Sequence, residues 1–109
     1  MDRSQIEIAP DELSRRLKAG DAPLLVDVRT AGEHAICALP SSKLLPLDQL
    51  PGSLDELPKD EEIVLYCHHG MRSMNAAIWL QQQGWSKVKS LAGGIDRWSL
   101  SIDPKVPRY

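Results

Sequence analysis

The chain has 109 residues, 13 basic and 15 acidic, for a formal charge of −2. That is room for one hydrophobic core and no second one, and the near-neutral balance excludes a general nucleic-acid or membrane surface. Met1-Asp2-Arg3-Ser4-Gln5 leads into no apolar leader segment, and no apolar run approaches the ~18 residues that cross a bilayer, so a cytoplasmic location is the expectation.

Gln5 to Ile8 alternates polar and apolar and reads as a short first strand. Pro10 suits the first position of a helix, Asp11 and Glu12 sit well against its dipole, and Leu13 and Leu17 share a face. Gly20 is placed to end that helix in a left-handed conformation. Leu24-Leu25-Val26-Asp27-Val28 is apolar without alternation, as expected for a strand buried on both faces of a parallel sheet. Asp27, Arg29 and Glu33 cluster at its end, where ligands of open α/β sheets bind. An internal network, with Arg29 paired to Glu33 or Asp27 capping a turn, is expected ahead of a direct catalytic role.

Lys43-Leu44-Leu45 reads as a strand, and Pro46 to Leu50 and Ser53 to Leu57 as short helical turns punctuated by prolines. Ile63 to Tyr66 is the central strand, and a helix is expected from Met74. Ser73, Ala76, Ala77 and Leu80 form its core-facing stripe, Gly84 its stop, and Trp85 a contact folding back onto Leu80. Lys87 to Leu91 supplies the last strand and Ala92-Gly93-Gly94 a turn without side-chain bulk. Ile95 to Leu100 is a helical turn or two, and residues 101–109, with two prolines, an irregular tail. Alternating strands and helices predict an α/β fold, a parallel sheet with helices on both faces.

The chemistry concentrates at Cys67-His68-His69-Gly70-Met71-Arg72-Ser73, between the end of the central strand and the start of the next helix. A short loop wrapped toward a helix start turns backbone N–H groups inward and favours an anion at its centre. That anion is a Cys67 thiolate, a sulfur carried on it, or an oxyanion substrate. Two histidines and Arg72 add donors at the rim, making Cys67 the candidate nucleophile. Cys37 is expected to be a small buried apolar residue rather than a resolving thiol or a disulfide partner. A zinc site from Cys67, His68 and His69 is not expected, because adjacent residues do not readily face one metal. Four residues separate Cys67 from Arg72, one fewer than in cysteine phosphatases, and the smaller ring suits an added sulfur better than a phosphoryl group.

The loop resembles the active-site loop of rhodanese-domain sulfurtransferases. Leu25-Val26-Asp27-Val28-Arg29 with Glu33, and Leu91-Ala92-Gly93-Gly94-Ile95 with Trp98, also match that family in its order along the chain. The resemblance implies a single rhodanese-like domain over residues 1–109, with a three-layer fold around a mostly parallel five-stranded sheet. It implies transfer of a sulfane sulfur, from thiosulfate or a similar donor, through a Cys67 persulfide to cyanide, a thiol or a protein, with no cofactor. His68, His69, Gly70, Met71, Arg72 and Ser73 would bind substrate, with Arg72 either holding the donor's sulfonate or turned back onto Glu33 or another carboxylate. Asp27, Arg29 and Glu33 would support them. The competing readings are a non-catalytic binding or sulfur-relay module and a cysteine phosphatase or arsenate reductase. One stretch departs from the family's usual Gly-His-Ile-Pro-Gly-Ala: here Cys37-Ala38-Leu39-Pro40-Ser41-Ser42 lacks both glycines, which restricts the turn.

Overall fold

A computed structural model describes residues 5–109; Met1 to Ser4, part of the segment read above for a leader, lie outside the described residues. The strands are β1 (Glu7–Ile8), β2 (Leu24–Asp27), β3 (Lys43–Leu44), β4 (Ile63–Tyr66) and β5 (Val88–Leu91). They form one five-stranded sheet in the order β1-β5-β4-β2-β3, with every pairing parallel. The helices are α1 (Pro10–Lys18), α2 (Ala31–Ile36), α3 (Met71–Gln82) and α4 (Gly94–Ser101).

Side-chain alternation along the strands divides the core into two layers. Val26, Ile63, Leu65 and Val88 pack with Ala76, Ala77 and Leu80 of α3 on one face. Leu25, Val64, Tyr66 and Leu91 pack with Leu13 of α1 and Ile95 and Trp98 of α4 on the other. The uninterrupted apolar runs of β2 and β4 follow from this, since both faces of the sheet are covered. Helix ends follow the glycines: Gly20 and Gly84 have φ of +76° and +108°. At α3 the Trp85 N–H reaches the Leu80 carbonyl at 3.0 Å and the Gly84 N–H that of Gln81 at 3.2 Å, closing the helix as its sequence implies.

Three features differ from the sequence reading. Helix α2 was not anticipated; it buries none of its residues and is held by a capping box, with Thr30 Oγ1 accepting from the Glu33 N–H and the Glu33 carboxylate accepting in return. Helix α3 begins at Met71 rather than Met74, because Gly70 acts as its N-cap with φ of +101° and no side-chain bond. Arg72 and Ser73 therefore sit in a helical turn. Helix α4 likewise starts one residue early, at Gly94.

Register places Asp27 beside Tyr66, one residue before Cys67. Asp27 and Arg29 are fully buried and pair twice, Nε to Oδ1 and Nη2 to Oδ2, both at 2.8 Å. The Arg29 N–H donates to the same Oδ1 at 2.9 Å and His34 Nδ1 lies 2.7 Å from Oδ2. Burial alone would raise the Asp27 carboxyl, but the bonds from Arg29 and His34 outweigh it and hold it below its ordinary value. Arg29 pairs with Asp27 and not with Glu33.

The glycine-poor stretch keeps its turn at a cost. The Ser42 N–H donates to the Leu39 carbonyl at 3.2 Å, closing a turn with Pro40 second and Ser41 third. Ser41 has φ of +63°, alone among the described non-glycine residues, at the position where the family pattern carries glycine and a type II turn requires it.

Two predictions follow from these geometries. Ser41→Gly relieves a left-handed β-carbon and is expected to raise unfolding free energy by about 0.5–1 kcal/mol in urea titration. Asp27→Ala strands a buried guanidinium and is expected to cost about 3–5 kcal/mol in the same titration.

Candidate active site

Cys67 follows the central strand directly and is 1% exposed. Its sulfur accepts from the Gly70 N–H at 3.1 Å and from the Ser73 N–H at 3.4 Å, and Ser73 Oγ lies 3.4 Å away. Two backbone donors from the turn of the loop and the start of α3 thus converge on one atom, an arrangement that favours negative charge there. Ser73 is anchored behind the sulfur by a 2.6 Å contact with Ser90 Oγ, fully buried on β5.

The outside of the loop is fastened to α4. The Ile95 N–H donates to the Cys67 carbonyl at 2.9 Å and the Asp96 N–H to the His68 carbonyl at 3.1 Å. A β-carbon on Gly94 would collide with both carbonyls, and one on Gly70 would press on the Gly93 nitrogen at 3.2 Å. The bulk-free turn is what lets α4 approach.

Arg72 makes a two-pronged pair with Glu33, Nη1 to Oε1 at 2.8 Å and Nη2 to Oε2 at 3.0 Å. The arginine is thus turned onto Glu33 in the free protein. Arg72, with smaller contributions from Tyr109 and the Thr30 N–H, holds the Glu33 carboxyl well below the usual carboxylate range. Beside the pair runs a groove of about 390 Å³ lined by Val28, Thr30, Pro46, Leu47 and Arg72 among others. Met71, at the loop's outer edge, is 66% exposed.

His68 and His69 stack on each other at 3.9 Å with 20° between planes. Burial, then the neighbouring His69, pushes His68 below its ordinary value, so it is neutral at neutral pH. With Asp96 the two histidines bring three metal-ligand atoms within 4.8 Å of one another. The two rings lie in planes 20° apart, and Arg108 holds both Asp96 oxygens at 2.8 and 3.4 Å.

Four participants escaped the sequence reading. Thr30 begins a capping box readable as Thr-x-x-Glu. His34 joins Asp27, Ser90 backs Ser73, and Tyr109 reaches the site from the tail. Tyr109 Oη donates to Glu33 Oε2 at 2.6 Å and accepts from Arg29 Nη1 at 2.8 Å. Its ring stacks on His68 at 3.9 Å with 9° between planes. Burial, followed by the Glu33 contact, pushes its hydroxyl up to about 12.

Comparison with known proteins gives a consistent result. The family model of the rhodanese-like domain matches residues 9–101. A sulfurtransferase of Allochromatium vinosum is 42% identical over 93 residues, covering 85% of this chain and 87% of the relative. An adenylyltransferase and sulfurtransferase of Ogataea parapolymorpha is 38% identical over 86% of this chain, which spans only 24% of that longer protein. The crystal structure of a rhodanese-related protein from Thermoplasma volcanium superposes with a TM-score of 0.82 at 27% identity, covering 95% of this chain and 99% of that one. No helix among the described residues is long and apolar enough to cross a membrane. With the fold, the loop and the flanking motifs in agreement, the chain belongs to the rhodanese-like domain family.

Proposed function

We propose that this protein is a sulfurtransferase that carries a sulfane sulfur on Cys67. The observation that carries the reading is the convergence of the Gly70 and Ser73 N–H groups on the Cys67 sulfur. Donors fixed in place before reaction stabilise charge on the sulfur without reorganising. In the first half, the Cys67 thiolate attacks the outer sulfur of thiosulfate or a similar donor. A new S–S bond forms, the bond to the sulfonate breaks, and sulfite leaves with the electron pair. In the second half, cyanide or a thiolate attacks the terminal persulfide sulfur, and Cys67 leaves as thiolate.

The terminal persulfide sulfur carries the charge, and the loop amides from His68 to Arg72 are the groups proposed to receive it. Neither half requires a general base, so His68 and His69 are assigned to shaping the entrance rather than to moving protons. Arg72 is assigned to the donor's oxygens, for which its fork is suited. It must exchange Glu33 for the donor to do so. Arg72 is 39% exposed, so its fork is open to a donor whose two oxygens replace the bonds to the carboxylate. The groove beside Arg72 is the proposed approach for small donors.

A protein acceptor is a second reading of the discharge step, favoured by the exposed Met71 and Leu47 next to the loop and the groove. Phosphoryl transfer is disfavoured by the short spacing between Cys67 and Arg72.

The test is intact mass after incubation with thiosulfate, alongside Cys67→Ser. A gain of one sulfur in the native protein only, lost on adding cyanide, is the expected result. No gain would move the binding-module reading ahead, and hydrolysis of a phosphate ester dependent on Cys67 would restore the phosphatase reading.

A further inference from the structure

We infer that Tyr109 is a specificity-determining gate over the Cys67 loop. The inference rests on Cys67 being the reactive thiol. It goes beyond the sulfurtransferase reading because Tyr109 lies outside every motif that carried it.

The contacts of Tyr109 fall on both sides of the loop. Its ring covers His68, the first residue after Cys67, while its hydroxyl reaches Glu33, the carboxylate that clasps Arg72 at the loop's far side. The hydroxyl is also held from below by Arg29 Nη1 at 2.8 Å. Tyr109 thus bridges the residue that follows Cys67 and the partner of Arg72, and the sulfur between those two points is 1% exposed.

The segment carrying it is hinged rather than embedded. Val106 is buried, and its carbonyl accepts from Ser99 Oγ on α4. Beyond Val106 come Pro107, Arg108 and Tyr109, and the structure ties them down by side chains. Arg108 pairs with Asp96 at the surface, with its own side chain 58% exposed, and such pairs contribute little. Tyr109 remains 39% exposed. His68 is stacked between Tyr109 and His69 and has a buried Nε2 without a hydrogen-bond partner. The closed position is therefore well defined and held by contacts of the Tyr109 side chain itself, which a single substitution releases.

The consequence is selection by size. With the ring in place, slim donors and acceptors enter along the groove beside Arg72. Bulky thiols wait for Tyr109 to leave.

The test measures alkylation of Cys67 by peptide mass mapping, with iodoacetamide as a small probe and N-phenylmaleimide as a bulky one. The native protein is compared with Tyr109→Phe, which keeps the ring but loses both hydrogen bonds, and with Tyr109→Ala. Because the rate follows the open fraction, the bulky probe is expected to react about tenfold faster in Tyr109→Ala, with Tyr109→Phe between and a smaller gain for iodoacetamide. Equal rates in all three proteins would overturn the gate. So would a matching rise at Cys37, or equal gains for the two probes, since either means general loosening. Alkylation needs no sulfur donor, so this result stands apart from success or failure of the thiosulfate loading.

Discussion

The site depends on two backbone hydrogen bonds, from the N–H groups of Ile95 and Asp96 to the carbonyls of Cys67 and His68. The first N–H groups of a helix have no partner inside it. In α4 they are spent on holding the loop from outside, while the start of α3 offers the Ser73 N–H to the sulfur from inside. Two helix starts thus grip one short loop from opposite sides. The grip needs the turn after β5 to come within backbone contact of the loop, which Gly94, at φ of +64°, allows because a β-carbon there would strike the Cys67 and His68 carbonyls.

A second network runs from the core to the rim and grades from strong to weak. At its base the buried Asp27 and Arg29 hold each other, and loss of either partner leaves an uncompensated charge. Arg29 reaches Tyr109, Tyr109 reaches Glu33, and Glu33 reaches Arg72. Beside it, the pair of Arg108 with Asp96 lies at the surface and contributes little. Motion is accordingly expected first in the tail, then in Arg72 and last in the loop. His68 belongs to the quiet part of this arrangement: its burial keeps it uncharged at neutral pH beside Arg72.

Much of this was legible in the residues, for identifiable reasons. The strands β2 and β4 carry unbroken apolar runs, and the α3 stripe of Ser73, Ala76, Ala77 and Leu80 is the set of residues buried on that helix. Local, periodic signals of this kind survive tertiary context. What was missed lacked them. Helix α2 has six residues and no buried face, so periodicity is silent and only its Thr30 and Glu33 box marks it. The start of α3 is set by a left-handed glycine rather than a polar cap, which hid the helical setting of Arg72. Tyr109 meets Glu33 across 76 residues of chain, a separation no local pattern spans. The partner of Arg72 was narrowed to two alternatives, because a guanidinium suits a carboxylate and a sulfonate equally and position alone decides.

The central claim, that the loop is held rigid before any donor arrives, is tested most directly by amide hydrogen exchange of the free protein. The account predicts that the N–H groups of Ile95, Asp96, Gly70 and Ser73 exchange as slowly as those of β4, opening only with global unfolding. Exchange of Ile95 and Asp96 at the rate of the exposed residues of the tail would contradict it, and would mean that the loop is assembled by its substrate rather than waiting for it.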